Sequence, residues 1–216
     1  MSTKTTFIIS TFLIAIAIIV GAVLWNQLPD QMASHWNVND QVDGTTPKFW
    51  GVFMMPLVTL GLMVLFLVIP NIDPLKANIA QFRDTFNVFI VLIIAFMLYI
   101  HGLTLVWSLG FTNFKMSTAM LPFMGVLFIA IGFLLRKAKR NFFIGIRTPW
   151  TLSSDYVWDK THQLGATLFM ASGALAIIGG FFGGMTSFWF LFVPLMGSSL
   201  FLVIYSYVLY RDETKA

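Results

Sequence analysis

The chain has 216 residues, of which 58% are apolar and only 10% are charged, and its net charge is +4. This composition lies far outside the range of soluble domains, so we expect lipid to be the main solvent of the protein. Because the sequence contains no cysteine, disulfide frameworks, thiol nucleophiles and cysteine-ligated metal sites are excluded. In a membrane protein the positive charge indicates topology and contact with anionic lipid, so no direct nucleic-acid binding is predicted.

Six segments contain no Asp, Glu, Lys or Arg, and each is long enough to cross a bilayer as a helix. These segments are residues 7–27, 51–70, 86–109, 116–135, 165–183 and 188–210. We therefore predict an all-α membrane protein with about six transmembrane helices in one integrated membrane domain. Residues 1–70 form its first region, with helices one and two, and residues 71–216 form the rest of the bundle. The first segment follows Lys4 without a clear cleavage site after it, which favours an uncleaved signal anchor.

Lysine and arginine are distributed very unequally between the two sets of loops. Of the 13 Lys and Arg residues, only Lys48 and Lys115 lie on the side of the first and third loops. The remaining cations lie on the side that holds both termini and the second and fourth loops. Since loops rich in Lys and Arg stay in the cytoplasm, we predict that both termini face inside.

The first loop, residues 28–50, is polar and rich in turn-forming residues, and it is predicted to face outside. The pairs Asn39-Asp40 and Asp43-Gly44 suit tight turns. Four residues are candidates for contact with an external ligand or partner, because an aromatic ring supplies contact area and acids attract cations. They are His35, Trp36, Asp40 and Asp43. A folded cap over the helix ends is the alternative that we favour, and metal binding by His35 with Asp40 or Asp43 is a weaker one.

His101 is the one histidine inside a predicted span. A neutral imidazole bonded to a neighbouring helix is the favoured interpretation, and proton relay is the alternative. All Asp, Glu, Lys and Arg residues lie outside the six segments. That distribution argues against ion-coupled transport, which usually places ionisable residues within the spans.

The fourth loop, residues 136–164, is predicted to be cytoplasmic and to carry the motif residues. Pro149 ends the continuation of helix four, and Ser153 or Ser154 is suited to cap a short helix with Asp155 in its first turn. We predict that this short interfacial helix lies on the membrane surface between helices four and five. The cations just beyond helix four, at residues 136–140, are interpreted mainly as a topology signal, and contact with anionic lipid is their second predicted role.

A weak constellation for chemistry lies in the same loop, where Asp155, Asp159 and His162 share one possible helix face. A divalent metal or a general base is conceivable there, but a hydrated face with contact between Asp159 and His162 is favoured, and no nucleophile is paired with His162. We therefore predict no enzymatic activity and no cofactor. Two roles stay open for Arg147: it either binds a phosphate or carboxylate, or ties loop carbonyls to lipid headgroups.

Two groups of residues carry a family resemblance. In the first half they are Leu28-Pro29, His35-Trp36 and Asp43-Gly44, and in the second half they are Asn141, residues 145–152, Trp158 and residues 160–162. In these motifs the chain resembles the bacterial SdpI family, multi-pass proteins of the cytoplasmic membrane with an N-terminal region of DUF1648 type. The resemblance implies immunity against a secreted killing peptide. For the best-known member it also implies capture of a transcriptional repressor at the membrane.

The sequence therefore predicts an immunity protein whose partners are a secreted toxic peptide, anionic lipid and, in the regulatory version, a cytoplasmic repressor. Transport of a small molecule or ion, or membrane signalling without immunity, are the alternatives. The site residues predicted in the cytoplasmic motif loop are Asn141, Gly145, Arg147, Thr148, Pro149, Trp150, Trp158 and His162. Among them Arg147, Trp150 and His162 are predicted to organise the inner surface, while His35 on the opposite side is predicted to affect toxin recognition.

Overall fold

The computed structural model describes residues 1–215 and contains six helices long and apolar enough to cross a membrane. In chain order the elements are α1 (Thr3–Leu24), a 3-10 turn (Trp25–Gln27), β1 (Gln31–Trp36), β2 (Val42–Pro47), α2 (Lys48–Ile72), α3 (Lys76–Ala80), α4 (Arg83–Ser108), α5 (Met116–Lys137), α6 (Pro149–Ser153), α7 (Asp155–Gly179) and α8 (Gly184–Glu213). The prediction of an all-α membrane protein with six spanning helices is confirmed. The five-residue helices α3 and α6 lie in the connections between spans.

The spanning helices form two groups of three, α1 with α2 and α4, and α5 with α7 and α8. The closest approach is between α5 and α7. A Cβ atom added to Gly125 would lie 2.5 Å from the carbonyl oxygen of Gly173, and the reverse substitution would meet the Gly125 carbonyl at the same distance. Small residues allow such contact between helices in lipid, where packing rather than hydrophobic burial holds helices together.

The loop after α1 is an antiparallel β-hairpin, which the sequence analysis did not predict. Residues 31–47 form this hairpin, with Gln31 opposite Pro47 and Trp36 opposite Val42. Met32 on β1 is fully buried and packs with Leu28, Val52 and Leu105 at the ends of the helices. A buried methionine therefore anchors the hairpin to the bundle, although its polar composition resembles that of an irregular loop.

One of the two predicted turns is present in the hairpin. Asn37 accepts hydrogen bonds through Oδ1 from the backbone N–H groups of Asn39 and Gln41, and Asp40 has a φ of 61°. This is the predicted turn at Asn39-Asp40, built as an Asx motif with a left-handed residue. The prediction of a turn at Asp43-Gly44 is wrong, because both residues lie within β2, where the pairing is interrupted by a bulge.

The connection between α5 and α7 differs from the prediction at one point. Its short helix, α6, begins at Pro149 and ends at Ser153. The prediction of a separate surface helix beginning near Asp155 is wrong. Asp155 is instead the first residue of α7, which continues without a break to Gly179, and Ser154 caps this helix by accepting from the Val157 N–H. α7 therefore begins ten residues before the charge-free segment, and Asp155 and Asp159 in its first turns pair with Arg140 and Lys139.

Candidate functional site

His35 and Asp43 face each other across the hairpin. The His35 Nδ1–H donates to Asp43 Oδ1 at 2.5 Å, and the two side chains are 71% and 45% exposed. An exposed pair of this kind contributes little to stability because water and salt screen it. The pair is thus available at the surface for contact with another molecule.

Asp40 has a structural role that its neighbours in the turn do not share. Its two carboxylate oxygens accept from the backbone N–H and the hydroxyl of Ser117, each at 2.7 Å. Ser117 lies in the first turn of α5, where free N–H groups and the positive end of the helix dipole favour a carboxylate. The Ser117 hydroxyl oxygen also accepts from the Gly184 N–H at the start of α8, at 3.3 Å. Asp40 therefore fastens the hairpin to the beginnings of two helices of the second group.

Trp36 and the turn of the hairpin border a cleft of about 350 Å³. Trp36 packs edge-on against Trp107 with ring centroids 5.7 Å apart. The cleft is lined by His35, Trp36, Asn37, Val38 and Asp40 of the hairpin, Met116, Ser117, Met120 and Leu121 of α5, and Gly184, Phe188 and Leu191 of α8. Three of the four residues predicted in this loop, His35, Trp36 and Asp40, thus line one cleft with polar groups at the hairpin and apolar side chains on the helices.

The structure gives no support for a metal site in the hairpin. Asp40 is directed to Ser117, which leaves His35 with Asp43 alone. Within residues 1–215 no group of three or more His, Cys, Asp or Glu side chains is placed to hold a metal ion.

Asn141 organises the other predicted site, the motif loop, which we define as residues 138–154 between α5 and α7. Its side-chain nitrogen donates to the carbonyls of Lys139 and Ile144, both at 2.8 Å, and its Oδ1 accepts from the N–H groups of Phe143 and Ile144. Asn141 is fully buried. One carboxamide therefore satisfies four backbone groups and closes the loop into a tight turn.

His162 holds the next part of the motif loop from the side of α7. The His162 Nε2 accepts from the Ile146 N–H at 3.0 Å, and the Nδ1–H donates to the Trp158 carbonyl at 2.8 Å. This pair of contacts fixes the neutral tautomer with its proton on Nδ1. Gly145 lies against the ring with a φ of 120°, and a Cβ there would collide with His162 Nε2. The histidine is thus a buried support of the loop.

Trp158 completes this support. Its ring stacks on His162 with centroids 3.9 Å apart, and its Nε1–H donates to the Ala138 carbonyl at 2.9 Å. The side chain is 1% exposed and belongs to the main hydrophobic core, together with Phe86, Leu134 and Ile144. The motif loop therefore rests on the core of the bundle rather than on a separate surface domain.

Thr148, Pro149 and Trp150 form the start of α6. The Thr148 hydroxyl oxygen accepts from the Thr151 N–H, and the Thr148 N–H donates to the Thr151 hydroxyl oxygen, which makes a capping box. Pro149 occupies the first helical position, where its missing N–H costs nothing. The Thr148 hydroxyl contacts Ser206 on α8 at 3.0 Å, and Trp150 packs on Tyr207. These contacts attach α6 to α8.

Arg147 is the charged residue among those predicted in the motif loop. Its Nη1 donates to the Phe142 carbonyl at 2.8 Å, and the residue is exposed. This contact agrees with the interpretation that Arg147 ties a loop carbonyl, and it leaves further guanidinium donors free for an anion.

Asp155, Asp159 and His162 do not converge. Asp155 accepts from Arg140 Nε at 2.7 Å, and Asp159 lies 3.6 Å from Lys139 Nζ. The favoured interpretation of a hydrated face with a contact between Asp159 and His162 is wrong for His162, which is buried and bonded to Trp158 and Ile146. The two aspartates instead pair with Lys139 and Arg140 at the beginning of the motif loop.

His101 is also not bonded as predicted. It is 3% exposed, and its Nε2 has no hydrogen-bond partner among residues 1–215. The favoured interpretation of an imidazole bonded to a neighbouring helix is therefore wrong.

Comparisons with known proteins find matches in two parts of the chain. The model of the SdpI/YfhL protein family matches residues 137–206, and that of DUF1648, a domain of unknown function, matches residues 12–60. A curated relative, "Immunity protein SdpI" of Bacillus subtilis (strain 168), is 26% identical over 179 residues, which cover 82% of each chain. These matches support assignment of the chain to the SdpI family. The chain is accordingly a multi-pass protein of the bacterial cytoplasmic membrane. No solved structure matches it significantly.

Two residues that support the motif loop of this SdpI-family protein were missed, and both lie between the two matched regions. Asp73 is 2% exposed, and its carboxylate accepts from the N–H groups of Leu75 and Phe142 at 2.6 and 2.9 Å. Asn78 donates to the Arg140 carbonyl at 2.8 Å. The Asp73-Pro74 pair is a local signal for a turn, but only the folded chain brings it to the motif loop.

Proposed function

We propose that this SdpI-family chain is an immunity protein that protects the cell from a secreted killing peptide, which it meets at the cleft beside the hairpin. The observation that carries this proposal is the relationship to the curated immunity protein along 82% of both chains. In addition, the DUF1648 model matches residues 12–60, which contain the hairpin.

The geometry of the hairpin supports a role in recognition. His35 and Asp43 expose their polar groups, whereas Met32 and Asp40 fix the hairpin to the helices. A surface that is held rigid before binding loses less conformational entropy when a ligand arrives. The adjoining cleft combines these polar groups with Met116, Met120 and Phe188, a combination suited to a peptide with apolar side chains.

Capture of a cytoplasmic transcriptional repressor is a second candidate, and it would use the motif loop. Arg147 is exposed there. Two other residues of the motif loop, Lys139 and Arg140, line a polar cleft of about 330 Å³ together with Asn78, Gln81, Asp155 and Asp159. The charges in this cleft form Arg140–Asp155 and Lys139–Asp159 pairs. A docking protein would have to compete with those pairs, so we rank immunity first.

The direct test expresses the chain in a Bacillus subtilis strain that lacks its own SdpI and then adds the killing peptide that SdpI resists. Survival and membrane potential are measured against cells with an empty vector. We expect the wild-type chain to preserve both. Loss of viability and potential equal to that of the empty vector, with the protein present in the membrane, would reject immunity against this peptide and favour transport or another signalling role.

Two substitutions in the same assay separate the two ends of the molecule. His35→Ala removes an exposed side chain from the cleft and is expected to lower protection, whereas Gln31→Ala, an exposed change on the same strand, serves as its matched control. Arg147→Ala tests the motif loop without opening the core, and Arg211→Ala controls for loss of a cation. Alanine at His162 is unsuitable as a functional test, because that side chain is buried. Equal protection by all four variants would contradict both assignments.

A further inference from the structure

Beneath the hairpin, a small, mainly apolar cavity of about 60 Å³ lies between β1, β2, α2 and α4. Its polar side chains are Ser34, Thr46, His101 and Thr104. A water molecule has a share of about 30 Å³ in the liquid, so the cavity has room for a group of only a few non-hydrogen atoms. Trp50 and Met54 line it and are themselves half-exposed, which places its opening at the surface of α2.

His101 is the feature of this cavity that packing does not explain. The side chain is only 3% exposed, yet its Nε2 has no hydrogen-bond partner among residues 1–215. Leaving a buried polar atom unpaired costs about 1–3 kcal/mol relative to a satisfied one. A group that enters the cavity and bonds to the imidazole would recover that loss.

The other groups of the cavity define the chemistry of such an occupant. Thr104 donates its hydroxyl proton to the Ile100 carbonyl, so its oxygen can only accept, whereas the hydroxyls of Thr46 and Ser34 can donate or accept. None of the lining residues that the structure describes is Asp, Glu, Lys or Arg. A charged ligand would therefore enter without a counter-charge, at a large desolvation cost. A neutral group with both a donor and an acceptor fits, and an amide is such a group.

We propose that this cavity binds an amide group of the killing peptide through His101 and the hydroxyl of Thr46. This inference rests on the proposed function, because only that function identifies the killing peptide as the molecule that supplies the amide. Recognition of an amide group itself depends only on the residues that line the cavity. It assigns to His101 a role in binding instead of the structural role expected of a buried histidine.

The test uses the full chain in lipid nanodiscs, labelled with ¹⁵N-histidine, and N-methylacetamide as a mimic of the peptide bond. The chain has three histidines, and the His101→Gln variant assigns the His101 imidazole signals. We expect N-methylacetamide to shift those signals in a saturable way and to leave the signals of His35 and His162 unchanged. Absence of a saturable shift at His101 in the wild-type chain would overturn the proposal.

A pair of neighbouring substitutions on β2 distinguishes binding from a general effect on the hairpin. Thr46→Val removes the hydroxyl in the cavity, while Thr45→Val makes the same change at a neighbouring exposed position that does not line it. Loss of one hydrogen bond is expected to weaken N-methylacetamide binding about three- to tenfold for Thr46→Val, with no change for Thr45→Val. Equal effects of the two substitutions would overturn the assignment.

The survival assay then separates this inference from the proposed function. If the wild-type chain protects cells, Thr46→Val is expected to require less killing peptide for the same loss of viability than Thr45→Val. Equal sensitivity of the two variants would reject the cavity as part of the peptide site while leaving immunity intact. If the wild-type chain gives no protection, the proposed function fails, and the titration with N-methylacetamide decides whether the cavity binds amides.

Discussion

At the scale of single residues, the motif loop depends on side chains that bond to backbone groups. Asn141 satisfies four backbone groups, His162 accepts from Ile146, and Trp158 donates to Ala138. All three side chains are at least 98% buried. Their first effect is therefore on the shape of the loop, while Arg147 is the motif residue that offers a charge to a partner.

Gly145→Ala is expected to destabilise the protein by about 1–3 kcal/mol. Alanine would have to adopt the unfavourable φ of 120°, and its Cβ would collide with the ring of His162. Thermal unfolding of the purified protein in detergent measures the change. Gly102→Ala is the control, since a Cβ there meets no atom within 4 Å and the residue lies inside α4. We expect it to be neutral or slightly stabilising. Equal melting temperatures for the two variants would contradict the role of Gly145.

Trp158→Phe keeps an aromatic ring on His162 but removes the donor to the buried Ala138 carbonyl. We expect a loss of about 1–3 kcal/mol, the usual cost of leaving a buried group unpaired. Trp150→Phe provides the comparison, because Trp150 is only partly buried and contacts Tyr207 through its ring. The same thermal measurement is expected to show the larger decrease for Trp158→Phe, and the opposite order would refute this account.

At the scale of elements, the hairpin is stabilised by contacts at its two ends. Met32 packs it onto the ends of α1, α2 and α4, and Asp40 attaches its turn to α5. An isolated two-stranded hairpin is marginal in water, so these attachments decide whether residues 31–47 remain ordered. The hairpin thereby connects the two groups of three helices.

Asp40→Ala is expected to release the turn from α5, because it removes both hydrogen bonds to Ser117 and places alanine at a left-handed φ of 61°. Hydrogen–deuterium exchange of residues 31–47 in nanodiscs is expected to rise by at least tenfold. Asp43→Asn alters only an exposed pair with His35 and is expected to change exchange little. Unchanged exchange in Asp40→Ala would show that Met32 alone fixes the hairpin.

At the scale of the whole molecule, the unequal distribution of Lys and Arg predicts that the hairpin end faces outside and the motif-loop end faces the cytoplasm. The natural absence of cysteine allows a direct test with single cysteines. We expect Thr45→Cys to react with a membrane-impermeant maleimide on intact cells, and Ser153→Cys to react only after the membrane is permeabilised. Both positions are exposed in the folded protein. The reverse pattern of labelling would invert the predicted topology.

The local interactions of the motif loop were only partly predictable from the sequence. Ser154 was correctly identified as a helix cap, since capping acts within one turn. The prediction that Pro149 ends helix four is wrong, because α5 ends at Lys137 and Pro149 instead begins α6. The partners of His162 and Asp159 were not predictable, because the spacing of residues on a helix does not reveal which other segment packs against them. Asp73 illustrates the same limit, as its partner Phe142 is 69 residues away.

The sequence by itself determined the class of the protein and the six spans, and it indicated the two loops to which we assign function. These properties follow from the free energy of transferring whole segments into lipid. That free energy is a sum over about 20 residues, so no single contact changes its sign. Only the tertiary structure decided that the first loop is a hairpin attached through Asp40 and that His162 is a buried support of the motif loop. It also decided that His101 lines a cavity and that its Nε2 has no hydrogen-bond partner among residues 1–215. Each of these depends on one or two atoms from segments distant in the chain, and such contacts have no local signal.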